Sequence, residues 1–391
     1  MNPYYYSWSI QSEVIDFSLE ATLGPYLISG ENSVLDCISS SFQAHFGHSY
    51  EPILSAMSRQ MNDFSIASPK ASFGLKSEAS QKLLNLLKLE GSIFYTVSGA
   101  ESVENALKMA RQIRQANKIL ARKKSYHGAS LGALSVTGDW RSQNHFGLQD
   151  YTIRIPEPSE DIDLAKLKSI VRQEGTESIA AICLETISGT NGVYSADPKW
   201  WVSLREFCDE TGILLIVDEV LVGFGRCGEN FAFQKYKIKP DIVCMSKGIT
   251  GGYIPFGAVY TSPKIYEFYN ERMLSAGLTN YAHPLGLACM DIVIDTLNEL
   301  EFSQRKNELE KVFAEGVHAL AKLDEILDYR LHGFLVALDT SRNDLSWRHF
   351  WDAGLYVYIK DGMLILAPPF ILNESHLQRM FEVIYKVLKR A

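Results

Sequence analysis

Three short stretches carry residue types at a spacing that could do chemistry together. The first is Thr96-Val-Ser98-Gly99-Ala100-Glu101, where an apolar run gives way to an amphipathic one. Ser98 with an acid three residues later spells a capping box, in which the hydroxyl takes the third helical amide and the carboxylate reaches back to the cap amide. Gly99 and Ala100 leave those first amides uncovered, so the positive end of the helix is open to an anion, most simply a phosphate; an ordinary capped helix is the other reading. The second is Asp218, closing the most apolar run in the chain. A carboxylate there is partly desolvated and is best held beside a fixed positive charge, whether a salt-bridge partner or a protonated ring nitrogen. The third is Lys247, between the apolar Ile242–Met245 and Gly248-Ile-Thr-Gly251-Gly252. Desolvation at such a place lowers an amine's pKa, so that neutral nitrogen can attack a carbonyl.

An anion-binding helix start, a buried acid and a buried lysine together suggest pyridoxal 5'-phosphate, with its phosphate at one end, its pyridinium at the other and its aldehyde on the lysine. Tyr126-His127-Gly128 could lay an aromatic ring on one cofactor face and Val220 could close the other.

Three other strings compete. Gly223-Phe-Gly225-Arg-Cys-Gly228 spells a dinucleotide fingerprint, but Asp218-Glu219-Val220 separates it from the preceding strand and no acid follows at the required distance. Ile213–Glu219 looks like the acidic strand end of a P-loop nucleotidase, with no GxxxxGK[ST] upstream. Gly128-Ala-Ser130-Leu-Gly132 spells a nucleophile elbow, the basis of a serine hydrolase reading. The preceding Ala121-Arg-Lys-Lys-Ser125 is too basic for the buried strand such an elbow needs.

Elements that would position these residues follow from the hydrophobic pattern. From about residue 90 to 259, apolar runs (Ser92–Val97, Ala180–Glu185, Ile213–Val217, Ile242–Met245, Phe256–Tyr260) alternate with amphipathic segments, which implies an α/β unit with a largely parallel sheet covered on both faces. Past His283 the pattern becomes one long helical stretch (284–323), short strands near 331–338, 355–358 and 363–366, and a final helix capped by Asn373. The expected division is an N-terminal segment 1–50 packing with the small domain, a large domain 51–283 and a smaller α+β domain 284–391.

The 391 residues are 46% hydrophobic and 21% charged, and 38 Lys and Arg against 46 Asp and Glu leave a net charge of −8. This balance excludes a disordered or collagen-like chain and gives no electrostatic drive toward nucleic acid. No run of 18 apolar residues and no signal-peptide pattern occurs. The six cysteines stand singly, without zinc-ligand spacing, and read as buried thiols, so the expectation is a cytoplasmic protein without a metal.

Over most of its length the sequence resembles the class III pyridoxal-phosphate aminotransferases of fold type I. The matching blocks are Gly47-His48, SGAESVENALKMAR from Ser98, SYHGASLGALSVTG from Ser125, DEVLVGFGRCG from Asp218, SKGITGGYIPFGAV from Ser246, GLTNYAHPLG from Gly277 and APPF from Ala367. The resemblance implies that Lys247 carries the cofactor aldehyde and Asp218 pairs with the ring nitrogen. It further implies that Gly99 and Ala100 hold phosphate, that Tyr126 and Val220 sandwich the ring, and that Thr279 reaches the phosphate of the other subunit of a homodimer. Ser98 and His127 fall in the same cofactor blocks. Glu185 matches the acid of the family's Glu-Pro strand end, with Thr186 in place of the proline.

Two family substrate residues are missing. Ile365 stands where many members carry a carboxylate-binding arginine, and Thr190 where a gating glutamate falls, which disfavours a glutamate or ornithine specialist. The blocks are most similar to the ω-amino acid and amine transaminases, which pass an amino group from an amine or ω-amino acid to a keto acid, ketone or aldehyde in two half-reactions. The diaminopelargonate transaminases of biotin synthesis, which use adenosylmethionine or lysine, come second: LDCISSSFQAHFGH resembles them, while Ser41 and Tyr358 replace an aromatic and an arginine. Trp8 and Phe42 are candidates to line a substrate pocket.

Overall fold

The computed structural model describes residues 3–145, 147 and 151–390. Among the described residues, fifteen strands form three sheets. In chain order they are β1 Ala21–Leu23, β2 Tyr26–Ser29, β3 Asn32–Asp36, β4 Ser92–Thr96, β5 Lys118–Arg122, β6 Thr152–Ile155, β7 Ile179–Glu185 and β8 Leu214–Asp218; then β9 Ile242–Met245, β10 Gly257–Thr261, β11 Ile326–His332, β12 Leu335–Thr340, β13 Leu355–Tyr356, β14 Tyr358–Lys360 and β15 Met363–Leu366. The central sheet has the order β4-β10-β9-β8-β7-β5-β6. The pairs β6·β5, β5·β7, β7·β8 and β8·β9 are parallel, and β10 is antiparallel to both β9 and β4. Every residue of β7, β8 and β9 is buried, as strands covered on both faces must be. The fold is therefore α/β with a mostly parallel central sheet, as the alternation predicts.

One strand contradicts the sequence reading. β5 runs through Arg122, which is only 1% exposed. Its guanidinium donates to the carbonyl of Glu185 at 2.8 Å and lies 3.9 Å from the Glu157 carboxylate, so the strand end at Arg122 is buried with its charge paired, though Nε has no partner among the described residues, while Lys123 and Lys124 lie past the strand and are exposed.

The expected long helix is two, Pro284–Asn298 and Leu300–Leu320, because Glu299 takes an extended backbone (φ −64°, ψ 126°) between them. The first packs on the helices Glu51–Asp63 and Gly74–Leu87, and the second on the C-terminal helix Glu374–Lys389. That last helix begins with the Asn373 side chain accepting from the amide of His376. It buries Leu377, Met380, Ile384, Val387 and Leu388, each contributing about 1.5–3 kcal/mol of apolar burial.

The apolar stretch near 331–338 is a hairpin turning at Gly333 (φ +57°), where a Cβ would meet the carbonyl carbon of Cys227 at 2.6 Å. This close approach locks the β11–β12 hairpin onto the loop after β8. The small sheet β11-β12-β15-β14 is antiparallel, and in the sheet β1-β2-β3-β13 the parallel pairing of β3 with β13 joins the N-terminal segment to the C-terminal part of the chain. Among the described residues no helix is long and apolar enough to cross a membrane, and no cluster of three or more His, Cys, Asp or Glu is placed to hold a metal.

Candidate active site

Ligands of open α/β sheets lie outside the carboxyl ends of the strands. Here β4, β5, β7, β8 and β9 point their carboxyl ends at one cavity of about 380 Å³. Gly99, Ala100, Tyr126, His127, Glu185, Asp218, Val220 and Lys247 line it, as do Trp8 and Phe42. Ten of the residues singled out from sequence thus meet in one place, although they span 240 positions of the chain.

After β4, Ser98 caps the helix Gly99–Arg114, its hydroxyl accepting from the Glu101 amide at 3.2 Å. The reciprocal half of the box differs from expectation. The Glu101 carboxylate accepts from the amide of Val97 at 3.0 Å, one residue before the cap, because the chain enters the helix from an extended cap residue (φ −158°, ψ 164°). The helix start stays anchored, and Gly99 and Ala100 remain at the cavity wall, where the first amides of the helix could meet an acceptor. A Cβ at Gly99 would meet Val220 Cγ1 at 2.7 Å, so only glycine lets the helix start lie against Val220. Gly128 has the same character: at φ +135° a Cβ would meet that of Ala100 at 2.7 Å.

β7 and β8 place Glu185 and Asp218 as direct register partners. Asp218, 4% exposed, accepts from the Val220 amide at 2.9 Å through Oδ1 and bonds His127 Nδ1 at 2.8 Å through Oδ2. Each carboxylate oxygen keeps a further lone pair for a cationic partner. His127 Nε2 is buried with no hydrogen-bond partner among the described residues. Glu185 accepts from the amides of Tyr126 (3.1 Å) and Gly189 (3.0 Å), which fixes the aromatic ring's backbone. Burial raises its pKa above the usual carboxylate range, and the neighbouring Asp218 charge pushes the same way.

Lys247 follows β9 with a left-handed backbone (φ +48°), uncommon for a side-chain-bearing residue. Burial lowers its pKa below the ordinary 10.5, against the opposing pull of Asp218 and Glu185. Its Nζ stands 5.7 Å from the centre of the Phe42 ring. Phe42 arrives there on an unusual turn, in which Ser39, Ser40, Ser41 and Phe42 all have positive φ (48°, 43°, 70° and 70°). The buried Asp36 carboxylate holds the turn, accepting from the amides of Ile38 and Ser40 and from the Ser40 hydroxyl. Trp8, 43% exposed, meets Tyr126 edge-on at 6.2 Å.

Two predicted residues lie off the cavity wall. Ser98 acts as a cap, and Thr279 is exposed on this chain. Ser246 and Tyr358, noted in the sequence for other reasons, also line the cavity, and two further lining residues, Arg141 and Ile187, belong to no sequence motif. The dinucleotide-like and elbow-like strings are absorbed elsewhere. Ser130 donates to Glu104 Oε2 at 2.5 Å and has no histidine base among the described residues, which speaks against a hydrolase nucleophile. Gly223 to Gly228 fall in a turn rather than opening a helix, around a Glu219 carboxylate that accepts from Thr186, Ala232 and Phe233.

These groups suit a molecule with an anion at one end, a basic ring nitrogen at the other and a carbonyl between: free amides, an acid fixed by two bonds, an unpartnered imidazole nitrogen, and an amine biased toward neutrality.

The family model described as aminotransferase class-III matches residues 11–388. An omega-aminotransferase of Caulobacter vibrioides is 31% identical, over 91% of this chain and 89% of its own. An acetylornithine aminotransferase of Halalkalibacterium halodurans is 30% identical, over 92% of both. Among solved structures, a taurine:2-oxoglutarate aminotransferase from Bifidobacterium kashiwanohense, in complex with PLP and glutamate, superposes with a TM-score of 0.90 at 26% identity, over 99% of this chain and 96% of that one.

Proposed function

The chain belongs to the class III aminotransferases, and from that premise we propose that it uses pyridoxal 5'-phosphate to move an amino group from an amine or ω-amino acid to a keto acid, ketone or aldehyde, in two half-reactions at one site. The observation that carries this reading is the meeting of Lys247, Asp218 and the Gly99 and Ala100 amides on one cavity wall. The bound cofactor supplies an electron sink that stabilises negative charge on the substrate carbon.

The protein's own residues do the rest. The amides of Gly99 and Ala100 bind the phosphate, and Tyr126 and Val220 hold the ring between them. Asp218, steadied by His127 and Val220, keeps a proton on the ring nitrogen. Lys247 anchors the cofactor in the resting enzyme and moves a proton to and from the substrate carbon, for which a depressed pKa suits its Nζ. Glu185 fixes Tyr126 through its amide. Trp8 and Phe42 line the substrate side.

The omega-aminotransferase relative supports the ω-amine reading. The diaminopelargonate alternative is not favoured, as Tyr358 lines the cavity where that branch has an arginine. The active unit is a homodimer in this reading, the exposed Thr279 reaching the partner's phosphate. Six free buried thiols suit a reducing, cytoplasmic setting.

The test is the absorption spectrum of the purified protein with an amine panel. A band near the visible edge that bleaches on adding a donor, with borohydride trapping the cofactor on the peptide containing Lys247, is the expected result. A colourless protein with Lys247 unmodified overturns it. Sedimentation with and without Thr279→Ala tests the shared site: a dimer whose cofactor affinity falls in the variant is expected.

A further inference from the structure

Arg141 is a buried cation in the cavity wall without a complete set of partners. Its side chain is 9% exposed, yet it lines the same cavity as Lys247. The guanidinium lies over the Tyr126 ring at 4.3 Å, with Trp140 at 5.1 Å and Trp8 at 5.9 Å. Nη1 is paired with the Asp139 carboxylate and donates to Thr190 Oγ1 at 3.5 Å. Nε is buried with no hydrogen-bond partner among the described residues. A guanidinium has five donors, and leaving one unanswered in a dry wall is costly unless a ligand answers it. The Tyr126 ring on one side and the Asp139 carboxylate at Nη1 hold the guanidinium in place, so its free edge can meet a flat or tetrahedral acid group.

The location adds to this. Ile365, at the position where many class III members carry an arginine, is fully buried on β15 among Leu335, Ala337 and Ala367 and does not line the cavity. Thr190, in place of the gating acid, touches Arg141 instead. We propose that Arg141 is the specificity-determining anchor for the acid group of the substrate. It takes the carboxylate or sulfonate at the far end of an amine chain while the amine carbon faces Lys247, and the acid group of a keto-acid acceptor in the second half-reaction. The assignment rests on the aminotransferase reading above. Nη1 is held by Asp139, so the acid group is met by the remaining edge of the fork, which carries the unpartnered Nε, in both half-reactions.

The experiment compares β-alanine and 2-aminoethanesulfonate with 1-aminopropane, which lacks the acid, in wild type, Arg141→Gln and Arg141→Lys. Arg141→Gln is expected to lower kcat/KM for the two acidic donors about 100-fold, as losing one partner of a buried charge contact does, and to leave 1-aminopropane within about threefold. Loss on one acidic donor alone identifies which acid the fork prefers. Arg141→Lys keeps the charge but not the fork and falls between. In parallel, propionate is titrated into apo and cofactor-loaded protein, following Tm. Propionate raises Tm of the wild type and not of Arg141→Gln. Equal loss on all three amines, or an unchanged propionate shift in Arg141→Gln, overturns the anchor. If no amine turns over but the propionate shift still depends on Arg141, the aminotransferase reading fails and the anchor stands. Should Arg141→Gln not fold, Arg141→Lys and Asp139→Asn decide: a propionate shift weakened in the first and kept in the second is required.

Discussion

The two halves of the cavity are built differently. On one side, Glu185, Asp218 and Lys247 stand at or just past the carboxyl ends of three adjacent parallel strands whose residues are all buried, and both carboxylates are fixed by two hydrogen bonds each. On the other side, Trp8 comes from a segment without regular structure, Phe42 from a left-handed turn, Arg141 from a short 3-10 turn and Tyr358 from a three-residue strand. The first half is a scaffold with little freedom to vary. The second is assembled from chain segments that can change length and side chain without disturbing the sheet, the usual arrangement for selecting among substrates.

This contrast makes the sheet side sensitive in rate and the loop side sensitive in selectivity. The largest effect is expected from Lys247→Ala, a loss of about 10⁴-fold or more in kcat with the visible band abolished, read by steady-state kinetics and absorbance. Asp218→Asn comes next, at about 10²–10³-fold in kcat with cofactor bound and Tm nearly unchanged; near-normal turnover would break the assignment of the sheet side. In apo protein, burial disfavours the Lys247 ammonium, so neutral amine forms at lower pH than on a surface lysine. Acylation of Lys247 followed against pH should therefore reach half-maximum below 10.5, ahead of the exposed lysines.

Trp8→Ala probes the other half. A change of about threefold to tenfold in the ratio of kcat/KM between bulky and small amines, with the spectrum intact, is expected from losing one half-exposed ring. Ser130→Ala should stay within about twofold of wild type, costing no more than a single hydrogen bond to Glu104, and fluorophosphonate should not label the wild type.

The same contrast explains what could be read from residue order. Ser98, Asp218 and Lys247 are legible because a strand end followed by a cap, an acid or a glycine run is a local pattern, and the parallel sheet that brings them together follows from alternation. Arg141 has no such signature: it stands fifteen positions after Tyr126 and reaches that ring only through the fold. Arg122 misled for a related reason, since its partners, the Glu185 carbonyl and the Glu157 carboxylate, are distant in sequence and nothing nearby shows that a strand-end charge is satisfied. The break at Glu299 escaped because the helical period resumes almost at once on either side.

The counter-wound turn from Ser39 to Phe42 carries a practical lesson for anyone reshaping this enzyme. Left-handed backbone costs roughly 1–2 kcal/mol at each residue with a side chain, and the Asp36 carboxylate, outside the cavity and wholly buried, is what offsets it. Libraries that vary Ser41 and Phe42 while sparing Asp36 explore new pocket shapes on an intact turn. Libraries that include Asp36 will mostly collect clones in which the Phe42 wall has unwound.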